Sequence, residues 1–268
     1  MKSRQPPPPP PEVLDAWGVP DVTQLSGGQG TAFGTEQLVI KPEGDQQEAE
    51  WLARTLHALP RCSSLRIIRP VPARDNAWVV GGWSAWERLV GTEAPERWRD
   101  ALEVSDRFHS LVTDVAWSDA IGRHHPWALG DAFAWGEREL AIPAVLHAAV
   151  SELVQRRAPV DLPRQLVHGD LCGNILFDEA LPPAVIDLSP YWRPRRYADA
   201  ILVVDSMAWH GAGEDALETF ADPIGVQMLV RALLFRLGTT AVAFDGHDLR
   251  LKRELLAYEP VRRAVDRC

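Results

Sequence analysis

The segment His168-Gly169-Asp170-Leu171-Cys172-Gly173-Asn174, followed thirteen residues later by Asp187 in Val185-Ile186-Asp187, collects the residue types that handle a phosphoryl group. Phosphoryl transfer from a nucleotide asks little covalent chemistry of a protein. It requires a carboxylate to receive the proton of an acceptor hydroxyl, and oxygen ligands to hold Mg2+ on the phosphates. Two aspartates and an asparagine supply such groups here. Leu166-Val167 leads into a tight loop, Ile175-Leu176-Phe177 reads as a short strand, Asp178 to Pro183 as a turn, and Ala184-Val185-Ile186 as a returning strand. A hairpin of that length is expected to return Asp187 beside the loop that holds Asp170 and Asn174. Taken alone, His-Gly-Asp is an ordinary polar turn; its two partners downstream favour a site.

The H-G-D…N…I-D pattern resembles that of the aminoglycoside phosphotransferase and choline kinase family, small-molecule kinases built on the protein-kinase fold. The resemblance implies Asp170 as catalytic base, Asn174 and Asp187 as metal ligands, and ATP with Mg2+ as cofactors. It also implies His168 as a scaffold that fixes the loop backbone. The spacing departs from the family in one respect: the asparagine usually follows the aspartate by five residues, and here 174 − 170 gives four. A His–Asp relay for hydrolysis is the competing reading of His168. No glycine-flanked nucleophile elbow and no His-Glu-x-x-His zinc pattern accompanies it.

The amino-terminal third is expected to hold the nucleotide. Leu25-Ser26-Gly27-Gly28-Gln29-Gly30-Thr31-Ala32-Phe33-Gly34 is glycine-rich, and Leu38-Val39-Ile40-Lys41 follows as a strand. Glycines such as Gly27, Gly28 and Gly30 let backbone N–H groups approach phosphate oxygens, and Lys41 can neutralise phosphate charge. No Gly-Lys-Ser/Thr ends the loop, so it is not a P-loop, and the glycines are misspaced for a dinucleotide fingerprint. In the resembling kinases a helix glutamate holds the lysine. The helix predicted over 46–59 offers two, and its apolar stripe (Trp51, Leu52, Thr55, Leu56, Leu59) puts Glu48 on the inner face. Glu50 aligns instead with Arg54 on the solvent side. Two further strands are predicted, Ile67 to Val71 and Trp78 to Arg88, the latter interrupted by Gly81-Gly82, with Trp83 and Trp86 packing against the sheet. By position, the connector Glu87-Arg88-Leu89 passes the adenine, with Glu87 and Leu89 as its backbone contacts; recognition by backbone leaves GTP open.

The remainder reads as helices. Trp98, Leu102, Ser105, Phe108 and Val112 recur at helical spacing after Pro95, taken as a first-turn residue. Gly130 to Arg157 is broken by Pro143 into two helices. Tyr197 to Trp209 is apolar on nearly all sides, and Asp199 within it needs hydrogen-bond donors. The resemblance implies that Asp199 accepts from backbone N–H groups of the catalytic loop. Ile224 to Leu237 is expected to stop at Gly238, and a last helix covers 249–267. The expected fold class is thus α+β: a protein-kinase-like two-lobed fold, with a small β-rich N-lobe carrying one main helix and a larger, mostly helical C-lobe. The expected division is a proline-rich leader (1–11), a nucleotide-binding lobe (12–87) and a lobe carrying the catalytic loop and acceptor pocket (88–268).

At 268 residues the chain can bury a substantial core, and its net charge of −9 argues against a nucleic-acid partner. Cys62, Cys172 and Cys268 are too few and too scattered for a disulfide framework, which points to a reducing cytoplasm. Prolines rather than an apolar stretch follow the basic Met1-Lys2-Ser3-Arg4, so no signal peptide is expected, nor a run long enough to span a membrane. Pro6 to Pro11 should form an extended polyproline segment outside the core. The expected partner is a small-molecule hydroxyl acceptor. Ser189 to Arg193, Trp209-His210 and Glu214-Asp215 either line its pocket or serve as packing and surface. A protein kinase and a nucleotide-binding module without catalysis are the alternative readings.

Overall fold

The computed structural model describes residues 7–25, 30–118 and 122–267. The chain forms two compact units, one from Met1–Thr92, Ser118–Gly122 and Leu176–Asp187, the other from Glu93–Trp117, Arg123–Ile175 and Leu188–Cys268.

In the first unit, α1 (Pro11–Trp17) starts on a proline, whose missing N–H costs a helix nothing at that position. Pro10 offers its carbonyl to the N–H groups of Val13 and Leu14. Pro9 is buried, so the proline tract runs into the folded structure instead of staying outside it; Pro6 lies outside the described residues. The strands β1 (Thr23–Gln24), β2 (Phe33–Gly34) and β3 (Leu38–Pro42) precede α2 (Gln46–Ala58). The capping carboxylate of Asp45 accepts the Glu48 N–H at 2.9 Å and starts α2. Ala49, Leu52, Ala53 and Leu56 bury its inner face, while Arg54 sits outside and pairs with Glu50 at 3.6 Å.

β4 (Arg66–Ile67) is shorter than expected, because Pro70 cannot donate to a ladder; Pro70 makes only an isolated bridge to Trp86. The interrupted strand is a hairpin of β5 (Val79–Val80) and β6 (Trp83–Glu87). Gly81 and Gly82 both have positive φ, 58° and 79°, the requirement of a tight two-residue turn matched to strand twist. The resulting antiparallel sheet runs β1-β2-β3-β6-β5. Val13, Val19, Phe33, Ile40, Trp83 and Ala85 form its core. After β7 (Thr92–Glu93) the chain continues into the second unit.

There, α3 (Trp98–Leu111) begins after Pro95 rather than on it, with Arg97 as its cap. Of the helices expected over 130–157, α5 (Ala144–Arg156) starts after Pro143 as expected, but α4 (Pro126–Ala134) begins ahead of Gly130 and ends at Ala134, leaving 135–143 non-helical. β8 (Gln165–His168) leads into the candidate catalytic loop; the predicted hairpin of β9 (Ile175–Phe177) and β10 (Ala184–Val185) follows, and from Leu176 to Asp187 it belongs to the first unit. These two join β4 and β7 in a second sheet, ordered β4-β10-β9-β7. β11 (Pro190–Arg193) pairs antiparallel with β8, Pro190 opposite His168. α6 (Arg195–Trp209), α7 (Pro223–Ala243) and α8 (Asp248–Asp266) complete the second unit, with a 3₁₀ turn over Glu214–Phe220.

Gly238 does not stop α7; it lies inside the helix. A Cβ on Gly238 would stand 3.4 Å from Gly130 Cα, and one on Gly130 would stand 2.8 Å from Phe235 O. The two glycines let α4 and α7 approach more closely than side chains permit, which offsets the usual helix cost of glycine. α7 is long and apolar enough to cross a membrane by length and composition, against the expectation that no run is, yet 78% of its most apolar window is buried within the protein.

Candidate active site

The His168-Gly169-Asp170 loop is fixed from its backbone outward. His168 is fully buried, and its Nδ1 accepts the Asp170 N–H at 3.1 Å. Gly169 donates its N–H to Ser189 O at 2.9 Å, and a Cβ there would lie 2.5 Å from Tyr191 Cδ2. Only glycine fits between strand and ring. The shortened turn is closed by Gly173 at φ 83° and by Asn174, whose Nδ2 donates to Asp170 O at 2.6 Å and to Asp170 Oδ2 at 3.3 Å. Asn174 is thus drawn onto Asp170 despite the missing residue. Its Oδ1 receives no hydrogen bond among the described residues, and a neutral hard oxygen of this kind suits Mg2+.

The Asp170 carboxylate, 41% exposed, also meets a residue that sequence reasoning missed. Arg236, on α7, donates from Nη2 to Asp170 Oδ1 at 2.8 Å. Its Nε donates to Asp205 of α6 at 2.9 and 3.1 Å, and its Nη2 reaches Asp205 as well. Burial works against the Arg236 charge, but Asp205 and Asp170 outweigh it and hold the guanidinium protonated. Burial pushes the Asp205 carboxyl up, opposed by Arg236. The signal was present in the sequence: a charge on an otherwise apolar helix must find a partner. That criterion applied to Asp205 and Arg236 as much as to Asp199. Cys172 stands 3.6 Å from Ser206 Oγ, and burial pushes its thiol up to about 12, so it is an inert small residue in the loop.

Among the described residues, the hydrogen bond to Asp199 comes from Ser105, not from the loop backbone. Asp199 accepts from Ser105 Oγ at 2.5 Å; Ser105 Oγ lies 3.0 Å from His109 Nδ1, and His109 Nε2 accepts the His168 N–H at 3.1 Å. The backbone N–H must donate, so His109 is neutral with its proton on Nδ1, and the relay runs from His109 through Ser105 to Asp199. Burial, then His168 and Arg195, push the His109 pKa from 6.5 down to about 3. Below the higher value the unfolded chain takes up a proton that the folded protein refuses. Stability present above that pH is therefore lost as the pH falls toward the lower value, at ~1.4 kcal/mol per pH unit. His109→Gln keeps an acceptor for His168 and should flatten this acid limb in urea unfolding; an unchanged slope would mean that folded His109 takes up the proton.

In the first unit, Lys41 sits on β3 opposite Ser84 of β6. Its Nζ pairs with Asp187 Oδ1 at 2.6 Å and lies 5.3 Å from the centre of the Trp86 ring. Asp187 is thus a partner of Lys41 beyond the Glu48 that the resemblance implies. Glu43, two residues on, also bears on the Lys41 charge. Trp86 Nε1 donates to Ser84 Oγ at 2.6 Å, and Ser84 donates to Glu43. Burial opposes the Lys41 charge, while Asp187 and Glu43 together raise its pKa. Burial raises the Glu43 carboxyl, opposed by Lys41. Asp187 is 59% exposed and holds φ at 50°, which also ends β10 one residue earlier than expected.

Gly30, at φ 67°, lies in the connection between β1 and β2, where Gln24 Nε2 donates to its carbonyl at 2.7 Å. Gly27 and Gly28 lie outside the described residues. Glu87 ends β6, its N–H bound to Arg69 O at 2.8 Å, and Leu89 follows, half-buried. Of the acceptor-pocket candidates, Glu214 and Asp215 pair with Arg267 and Arg99, and Trp209 donates to the Tyr258 hydroxyl at 3.2 Å. Tyr191 is buried beneath the Arg123 guanidinium, 4.6 Å from its ring.

No protein-family model matches the chain, and no curated protein matches it in sequence. Solved structures do. The fold is α+β and protein-kinase-like, the one used by small-molecule phosphotransferases. The chain is similar to a thermostable mutant of aminoglycoside phosphotransferase APH(4)-Ia in ternary complex with AMP-PNP and hygromycin B, at 17% identity and TM-score 0.59 over 92% of this chain and 96% of that one. It is similar to spectinomycin phosphotransferase APH(9)-Ia in complex with ADP and spectinomycin, at 14% identity and TM-score 0.60 over 96% and 97%. It is also similar to a microcompartment-associated aminopropanol kinase, at 14% identity and TM-score 0.62 over 96% and 95%.

Proposed function

We propose that the protein is a Mg·ATP-dependent phosphotransferase that moves the γ-phosphoryl group to a hydroxyl of a small-molecule acceptor. The observation that carries this reading is the Asp170 carboxylate, part exposed in the loop after β8 and held by donors from Arg236 and Asn174. Asp170 orients the acceptor hydroxyl and takes its proton as the phosphoryl group arrives. Lys41 neutralises phosphate charge, and backbone N–H groups of the loop with Gly27, Gly28 and Gly30 approach the phosphates. The backbone at Glu87 and Leu89 takes the adenine. Asn174 and Asp187 would hold Mg2+, which supplies charge neutralisation on the phosphates when bound. His168 and Asp199 fix the loop, the latter through Ser105 and His109.

The structural relatives support a small acceptor: one is bound to hygromycin B, one to spectinomycin, and the third is an aminopropanol kinase. Sugars, aminoglycoside-like molecules and amino alcohols are the acceptor classes, and the exposed pairs of Glu214 with Arg267 and Asp215 with Arg99 do not choose among them. A cytoplasmic location belongs to the same reading, because three scattered cysteines offer no disulfide framework.

The test is untargeted mass spectrometry of a small-metabolite extract incubated with Mg·ATP and the protein. A species that gains one phosphoryl group with wild type and not with Asp170→Asn is the expected result, and it names the acceptor. Binding of Mg·ATP with no such species in any extract would instead support a nucleotide-binding module without catalysis.

A further inference from the structure

The structure assigns Arg236 the task of positioning Asp170, an inference that rests on the base role proposed above. Arg236 is 9% exposed and Asp205 7%, and the guanidinium sits against Asp205 through both Nε and Nη2. An ion pair made only to satisfy two buried charges is complete at that point. Arg236 nevertheless extends Nη2 to Asp170 Oδ1 at 2.8 Å, bringing a second anion, on a partly exposed loop, to a single cation.

What this third contact adds is geometry. The Asp170 carboxylate is held at Oδ1 by a residue of α7 and at Oδ2 by Asn174 of its own loop, so it cannot turn freely about its last torsion. The planar guanidinium fork is itself clamped by Asp205 on α6, so the orientation of a loop side chain is referred to two packed helices. A lysine in the same place has no fork and cannot hold both carboxylates in fixed directions. The predicted signature is a loss of turnover without a loss of nucleotide binding.

The test compares wild type, Asp170→Asn, Arg236→Lys and the double variant Arg236→Met with Asp205→Leu, each as the full chain. Transfer of γ-labelled phosphoryl from Mg·ATP into a small-metabolite extract gives apparent turnover and KM for Mg·ATP. Binding of Mg·AMP-PNP is measured separately as a control on folding. The double variant removes both ends of the buried pair, so no buried charge is stranded. Turnover should fall about 10²-fold in both Arg236 variants, with KM for Mg·ATP and AMP-PNP binding within about twofold of wild type. Wild-type turnover in either variant would overturn the inference and leave Arg236 a member of a core ion pair. An Asp170→Asn protein that keeps the wild-type rate would instead overturn the base assignment, and the role of Arg236 with it. Should the double variant not fold, Arg236→Lys decides alone.

Discussion

Asp170→Asn should lower phosphoryl transfer by about 10³-fold while Mg·ATP still binds. Asparagine keeps the size of the side chain and an oxygen to accept from Arg236, but it cannot take the acceptor proton. The fold should tolerate the change, because Arg236 and Asp205 remain a balanced pair once the second carboxylate is gone. Single-turnover transfer to the acceptor found in the extract, with Mg·AMP-PNP titration alongside, separates the two effects. A rate within about tenfold of wild type would remove Asp170 from the role of base.

Arg193→Ala should cost about 3–5 kcal/mol of stability, read from urea unfolding. Arg193 donates from Nε to both Asp131 oxygens at 3.2 and 3.0 Å and from Nη2 to Asp131 Oδ2 at 2.6 Å. Its two Nη groups also hold Glu137 at 2.7 and 2.6 Å, and the guanidinium lies 5.0 Å from the Trp135 ring centre. Glu137 is 42% exposed, so water can replace the arginine there. Asp131 cannot be rescued in that way. Burial already raises its carboxyl, and Arg193 is what opposes this. The loss should therefore reside at Asp131, and adding Asp131→Leu to an Arg193→Met protein should restore most of it. A loss below about 1 kcal/mol for Arg193→Ala would mean that water reaches the Asp131 carboxylate after all.

Periodicity made the helices legible. The stripe from Trp98 to Phe108 and the break at Pro143 placed α3 and the start of α5, since one face of each must be buried, whereas α4 lies earlier and is shorter than the pattern from Gly130 suggested. Glycine was ambiguous. Gly81-Gly82 makes a turn and Gly238 makes a close helix crossing, and the same missing Cβ serves both. Only the presence of Gly130 across the interface separates them, and that is tertiary information. Asp187 as a partner of Lys41 was out of reach for a related reason. Helical phase can say which face Glu48 occupies, but not that Asp187, 146 residues away, takes the ammonium. Asp205 and Arg236 were visible as charges among apolar residues. Their joining to Asp170 depended on how α6 and α7 pack, which no local pattern encodes.

The left-handed backbone of Asp187 narrows what mutation can do at this position. An aspartate codon lies one base change from those of asparagine, glycine, alanine, valine, glutamate, histidine and tyrosine. At φ 50° asparagine and glycine are the easiest of these to accommodate, while β-branched valine is the worst. Neither of those two carries a charge for Lys41. Single-base drift here thus has an asymmetric exit: variants that keep the chain's path lose the anion, and glutamate, the one that keeps the anion, strains the path. A lineage that has abandoned the chemistry while keeping the fold should therefore show asparagine or glycine at position 187.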